Sequence, residues 1–296
     1  MAPRLSQIRT VKALRGRIAR WREAGEKIAL VPTMGALHEG HLSLIELARK
    51  NADRIVVSVF VNPTQFGPGE DLEAYPRDEK TDLAKLSEMA VDAVYLPKVE
   101  EMYPDGFATT VHVDRLSKGL CGESRPGHFD GVATVVAKLL IQCAPDRAIF
   151  GEKDYQQLQI IKRMVRDLDI PTEIIGAPIV READGLALSS RNAYLSPAER
   201  ESAPLLQRTL QDMASDLGEG RPIEDALEAS RFRLETGGFK VDYLVIADSQ
   251  SLEPLGGVLT QPARAFAAAL LGKTRLIDNI AVAPKKVRAK KKAELG

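Results

Sequence analysis

Two imidazoles three residues apart, His38 and His41, fall inside the run Val31-Pro32-Thr33-Met34-Gly35-Ala36-Leu37-His38-Glu39-Gly40-His41. Both stand where a strand should give way to a helix. Such a helix start offers unpaired N–H groups and the positive end of a dipole, which suits a phosphate. Gly35 and Gly40 let the backbone bend and let a ligand approach closely. Three other readings compete. The two glycines have the spacing of a Walker P-loop, but His41 and Leu42 stand where that motif needs Lys and Ser or Thr, which excludes it. A His-x-x-His pair can bind zinc, yet no third ligand lies nearby. Two surface histidines without a role are the default for an isolated pair, and their place at the turn argues against that default.

Further along, Gly151-Glu152-Lys153-Asp154 repeats the pattern of strand, glycine turn and helix entrance, now with a lysine to neutralise phosphate. Gln157 lies one turn into the following helix and can point the same way. Leu188-Ser189-Ser190-Arg191 groups two hydroxyls and a guanidinium, a compact set of phosphate donors. A helix-capping serine pair beside a surface arginine is the plainer alternative. Asn62 and Gln65 follow a strand-like run, in a loop that Pro63, Gly67 and Pro68 keep irregular. Loops after strand ends line the crevice of an open α/β sheet, so both can hydrogen-bond a polar substrate, with turn-forming duty as the alternative. Arg125 and His128 sit in a glycine-rich stretch before a helix, which again suits an anion, or else a solvated loop.

The elements expected to position these groups follow from periodicity. Residues 8–25 read as an amphipathic helix. Residues 28–31, 54–61, 93–97 and 147–150 read as short buried strands, with 109–113 as an edge strand and 171–180 as a further apolar stretch. Helices are expected at 42–50, 71–90, 132–143 and 155–168. Beyond Ser196-Pro197 the texture becomes long helices at 197–217 and 222–236, then strands at 241–246, 263–271 and 276–282. The expectation is an α/β fold: a Rossmann-like, doubly wound parallel sheet with a smaller C-terminal α+β domain. The boundaries expected are 1–184 for the nucleotide-binding domain, 185–283 for a C-terminal lid domain, and 284–296 for a tail.

With 296 residues the chain can bury a substantial core, and 41 basic residues balance 41 acidic ones. That balance gives no global field toward nucleic acid or membrane. The start lacks a secretory apolar region, and no apolar run approaches a membrane span. Cys121 and Cys143 are too far apart for a metal motif and fit a reduced, cytoplasmic protein. The basic tail (Lys285, Lys286, Arg288, Lys290, Lys291, Lys292) reads as a disordered, solvated end rather than a nucleic-acid arm.

Taken together, these blocks resemble the pantothenate synthetase (pantoate–β-alanine ligase) family, within the HIGH-motif nucleotidyltransferases. The resemblance rests on Pro32 through His41, Phe60-Val61-Asn62-Pro63-Thr64-Gln65-Phe66, Gly127-His128-Phe129-Asp130-Gly131-Val132, Phe150-Gly151-Glu152-Lys153-Asp154-Tyr155-Gln156-Gln157, and Arg181-Glu182-Ala183-Asp184-Gly185-Leu186-Ala187-Leu188-Ser189-Ser190-Arg191-Asn192. It implies condensation of pantoate with β-alanine through a pantoyl adenylate, releasing pyrophosphate and then AMP, with ATP and Mg2+ as cofactors, on the way to coenzyme A. The domain 1–184 would then bind pantoate as well as the nucleotide. By the family pattern Met34, Gly35, Ala36, Leu37, His38, Glu39, Gly40 and His41 line the ATP, as do Gly151, Glu152, Lys153, Asp154, Val180, Leu188, Ser189, Ser190 and Arg191. His41 matches the residue described as proton donor, and His38, Lys153 and Arg191 complete the expected catalytic set. Gln65 and Gln157 match pantoate ligands, Gln65 also lying near β-alanine. Residues 68–81 are implied to form a mobile gate, and a homodimer is implied. The carboxylates Asp71, Glu73, Asp78, Glu79 and Asp82 are candidates for magnesium, but their spacing singles out none. No protein ligand is therefore assigned, and the ion is expected on ATP phosphates and water. Two alternatives stay open: a plain nucleotidyltransferase that leaves the nucleotide on its product, and a non-catalytic nucleotide- or RNA-binding module.

Overall fold

Uninterrupted apolar runs become parallel strands because both faces of such a sheet are covered by helices. The computed structural model describes residues 5–284, and its contacts divide the chain into two units between Ala193 and Tyr194. In the first unit the elements are β1 (Ser6–Ile8), α1 (Val11–Glu23), β2 (Ile28–Thr33), α2 (Glu39–Arg49), β3 (Arg54–Val59), α3 (Glu79–Glu88) and β4 (Ala93–Tyr95). There follow α4 (Val99–Met102), α5 (Cys121–Ser124), α6 (His128–Cys143), β5 (Arg147–Gly151), α7 (Tyr155–Asp167) and β6 (Glu173–Ala177). The strands pair in parallel in the order β1-β4-β3-β2-β5-β6.

This order carries the functional geometry. From β2 the chain winds outward through β3 to β4, then returns to place β5 on the other side of β2. The carboxyl ends of β2 and β5 therefore flank a topological switch point, where open α/β sheets bind ligands. Period-two alternation sends Ala29, Val31, Ile55, Val57 and Ile149 to one face, where Leu44, Ile45 and Ala48 of α2 and Leu86 of α3 pack on them. At the amino end of β3, away from that crevice, Arg54 bridges Glu26 at 2.6 Å and Asp92 at 2.8 Å.

Several sequence expectations are corrected. The first helix begins only at Val11, because Thr10 caps it by accepting from Ala13 N–H, and Ser6–Ile8 join the sheet as β1 beside β4. A three-residue strand carries too short a pattern to be read from sequence. The expected helix 71–90 shrinks to Glu79–Glu88, since Pro76 disfavours helix before it and Asp78 caps α3 by accepting from Thr81 N–H at 3.0 Å. Residues 109–113 form no strand; the Val111 N–H bonds to Thr134 Oγ1 at 2.9 Å instead of to a neighbouring strand.

The second unit holds α8 (Pro197–Ser202), α9 (Leu205–Gly218), α10 (Ile223–Thr236), β7 (Phe239–Asp248), β8 (Ala263–Leu271) and β9 (Thr274–Val282). Its strands form an antiparallel sheet in the order β7-β8-β9. Leu206, Leu210, Met213 and Leu217 give α9 its buried stripe. The single helix expected over 197–217 is broken, because Pro204 cannot donate a helical hydrogen bond and starts α9 instead. The division between units comes after Ala193 rather than after residue 184: an Arg181–Ala187 bridge and the Leu188 N–H on the Val180 carbonyl at 3.0 Å tie that stretch to the first unit. Among the described residues no helix is long and apolar enough to cross a membrane. The basic tail lies outside the described residues.

Candidate active site

At the end of β2 the Thr33 hydroxyl donates to the Ser58 carbonyl at 2.8 Å and accepts the Gly35 N–H at 3.2 Å. The backbone then turns through two left-handed residues, Gly35 at φ +84 and Ala36 at φ +51. A side chain at Gly35 would be strained there, and its Cβ would lie 2.9 Å from Asp82 Oδ2. Asp82, on α3 and only 4% exposed, accepts the Ala36 N–H at 2.9 Å and the Leu37 N–H at 2.8 Å. Lys85, one turn on, donates to the Leu37 carbonyl.

His38 is the N-cap of α2, and its Nδ1 accepts the Gly40 N–H at 3.1 Å. His41 Nδ1 in turn accepts the His38 N–H at 3.3 Å, and the ring centroids stand 4.1 Å apart. With both Nδ1 atoms accepting, each neutral ring carries its proton on Nε2, where it can be donated to a ligand. Burial, with the charges of Lys153 and Lys85, pushes His38 down to about 4. Deeper burial, the neighbouring His38 and the same lysines push His41 down to about 3. Both rings are therefore neutral donors near pH 7. Gly40 makes room for this pair, since a Cβ there would come within 2.8 Å of His38 Cε1.

The other phosphate-friendly segments reach the same place. Gly151 ends β5, and Glu152–Asp154 form a 3-10 turn into α7. Lys153 bears electrostatically on both histidines, and Asp154 on His41, His128, Tyr75 and Arg191. The Cβ of Leu188 would touch a Cβ on Gly40 at 3.7 Å. Arg191 forks onto Asp71 at 3.0 and 2.9 Å, its N–H resting on Ser189 Oγ at 3.3 Å. Ser190 hydrogen-bonds the buried Tyr75, which meets Phe66 edge-on. Met34 lies against the Gln65 amide, whose Nε2 donates to its sulfur at 3.1 Å.

Three candidate ligands, Asn62, Arg125 and His128, gather on Gln65. Asn62 is 1% exposed, and its amide donates to Gln65 Oε1 at 3.1 Å and to the Gly131 carbonyl at 3.2 Å. Its Oδ1 accepts from the Tyr103 hydroxyl at 2.7 Å and the Thr64 hydroxyl at 3.0 Å. All of its polar side-chain atoms are thus engaged within the protein. His128 donates from Nδ1 to the Gln65 carbonyl at 2.8 Å, while its Nε2 accepts from Arg125 at 3.0 Å. Burial first, then Arg125, pushes His128 down to about 4. Arg125 itself forks onto Glu70 at 2.7 and 2.6 Å. Around Gly131 the packing is tight, because a Cβ would stand 2.3 Å from the Thr64 carbonyl oxygen. Gly131→Ala is therefore expected to cost about 1–3 kcal/mol of stability, read from urea denaturation. On α7, Gln156 is buried on the Cys121 N–H and the Leu116 and Gly119 carbonyls, whereas the next residue, Gln157, is half-buried.

Asp82 and Lys85 escape a reading by motif, and Tyr75 and Tyr103 give no signal at all. For Asp82 one signal exists: it lies one turn before Leu86 on the buried stripe of α3, an acid where an apolar residue is expected. Four of the five candidate magnesium carboxylates are engaged elsewhere. Asp82 holds the turn, Asp71 faces Arg191, Asp78 caps α3 and Glu79 pairs with Arg9 at 2.5 Å.

Comparison with known proteins finds matches over nearly the whole chain. The family described as pantoate-beta-alanine ligase matches residues 6–281. Pantothenate synthetases from Paramagnetospirillum magneticum and Rhodospirillum rubrum are each 56% identical to the chain. The match covers 94% of this chain and 98% of the first, and 93% and 98% for the second. The crystal structure of pantothenate synthetase from Thermus thermophilus superposes with a TM-score of 0.89 at 50% identity, over 95% of this chain and 100% of that one. A pantoate-beta-alanine ligase from Francisella tularensis, complexed with beta-gamma ATP and beta-alanine, superposes with a TM-score of 0.77 at 35% identity, covering 93% and 97%.

Proposed function

The chain belongs to the pantoate–β-alanine ligase family, and from that premise we propose which of its atoms carry the reaction. The enzyme catalyses the ATP-dependent condensation of pantoate with β-alanine. In the proposed course a carboxylate oxygen of pantoate attacks the α-phosphorus of ATP, the bond to the β-phosphate oxygen breaks, and pyrophosphate leaves. The free amine of β-alanine then attacks the acyl carbon of the adenylate. The acyl–oxygen bond breaks, AMP departs, and the amine nitrogen loses a proton as the amide forms.

Negative charge grows on the phosphorus and the departing pyrophosphate, so catalysis consists of positioning and electrostatics. His38 and His41 donate Nε2–H to phosphate oxygens as neutral imidazoles, which makes His41 a hydrogen-bond donor rather than a source of a free proton. Lys153 and Arg191 supply cationic charge; Arg191 exchanges Asp71 for phosphate. Gln65 and Gln157 bind pantoate, and an amide that both donates and accepts suits its hydroxyls. Arg125 and His128 position Gln65. Residues 68–81 close over the site and keep water from the adenylate. Magnesium, when bound, would be held by the nucleotide phosphates and water and would offset their charge.

The observation that carries this reading is the neutral His38–His41 pair at the switch point, with Lys153 acting on both rings. Its test is a sequential assay. Enzyme with ATP, magnesium and pantoate is expected to release pyrophosphate, and AMP only once β-alanine is added. AMP release without β-alanine, or pyrophosphate only with it, overturns the adenylate course. We further propose a homodimer in the cytoplasm, where the buried thiols of Cys121 and Cys143 would stay reduced. A sedimentation mass of one chain removes the dimer.

A further inference from the structure

We propose that Asp82 and Lys85 on α3 are positioning residues for the nucleotide-binding turn, acting on both sides of Leu37 to set the two histidines. The inference rests on the reading that this turn holds ATP. Leu37 is clamped at each of its polar groups: Asp82 accepts its N–H at 2.8 Å, and Lys85 donates to its carbonyl. The peptide that carries that carbonyl also carries the His38 N–H, which is the group held by His41 Nδ1. A chain of contacts thus runs from α3 through one residue to both imidazoles. Asp82 also accepts the N–H of Ala36, a residue with a side chain in the left-handed region, which needs outside support to stay there.

The arrangement is matched to its purpose. A carboxylate can accept both N–H groups at once, where an amide offers one acceptor oxygen. Lys85, three residues later on the same helix face, places a positive charge beside the buried carboxylate and toward the histidines. Leu86 fixes the depth of α3 by packing in the core cluster with Leu37, Leu44 and Ile45. The same helix begins within residues 68–81, so the clamp joins the implied gate to the turn it would cover.

The test is steady-state kinetics on Asp82→Asn and Lys85→Met with the full chain, varying ATP (with magnesium) and β-alanine separately. Asp82→Asn is expected to lower kcat/KM for ATP about 10- to 100-fold, because small misplacement of catalytic groups is costly. KM for β-alanine should stay within about twofold, since the clamp sets only the nucleotide side. Lys85→Met should shift ATP in the same direction by less, and the double variant should be little worse than Asp82→Asn, since both act through Leu37. A purely structural role predicts a lower melting temperature and a smaller active fraction with every KM unchanged, and that result overturns the inference. If Asp82→Asn does not fold, Lys85→Met decides, and an unchanged kcat/KM for ATP rejects the clamp. His41→Ala separates the two levels: if it leaves the rate of pyrophosphate release intact, the site reading falls and the clamp with it. If it lowers that rate while Asp82→Asn leaves kcat/KM for ATP unchanged, the clamp alone falls.

Discussion

His41→Ala is expected to lower the rate of pyrophosphate release from ATP and pantoate by about 10²–10³, the usual effect of losing one transition-state donor. Thermal stability should change far less. The ring stands against that of His38, and its loss removes one capping bond to the His38 N–H, worth about 1 kcal/mol. Lys153→Ala should behave alike, since its charge lies on an accessible turn at the start of α7 rather than in the core. The comparison to make is single-turnover adenylate formation beside the melting temperature of each variant. Wild-type rates in both variants would remove both residues from the site. The form of the pH profile adds a check on the role of His41. A group at about 3 is neutral throughout pH 5 to 8, so this histidine should contribute no acid limb to the rate in that range. A limb near pH 6.5 that disappears in His41→Ala would mean that the ring acts as an imidazolium.

Acid is expected to destabilise the first unit well before its carboxylates titrate. His38, His41 and His128 are pushed from 6.5 down to about 4, 3 and 4 by burial first and neighbouring charges second. Above pH 6.5 these rings are neutral in folded and unfolded chains alike, and stability does not depend on them. As pH falls below 6.5 the unfolded chain takes up protons that the folded chain refuses, so stability declines until the folded rings titrate near pH 4 to 3. The slope approaches about 1.4 kcal/mol per pH unit for each histidine that charges only on unfolding. Urea midpoints at pH 7.5 and pH 5 measure this directly. Equal midpoints would show that the three rings titrate at their ordinary value.

How much of this was legible before folding differs from group to group. The turn from residue 31 to 41 declares itself, because glycine spacing, an apolar strand before it and a helical stripe after it are all local properties. The same holds for Gly151-Glu152-Lys153-Asp154 and for the strand 263–271, which appears at the expected bounds. Asn62, Arg125 and His128 were visible as polar residues beside glycine and proline, yet their side chains turn to Gln65 and Glu70. Nothing in a linear pattern says whether a polar atom will meet a ligand or another residue far along the chain.

Local chemistry alone determined where strands, turns and helix entrances fall in this chain, and which turns can receive a phosphate, because periodicity, capping and glycine freedom act over a few neighbouring residues. The tertiary structure decided that β5 returns to lie beside β2, so that turns more than a hundred residues apart share one crevice. It also decided the chemical state of that crevice. Burial removes the water that would let His38 and His41 charge, and a carboxylate on α3 clamps the backbone before them. Desolvation and long-range hydrogen bonding depend on the atoms that fill the surrounding space, and those are chosen by the fold.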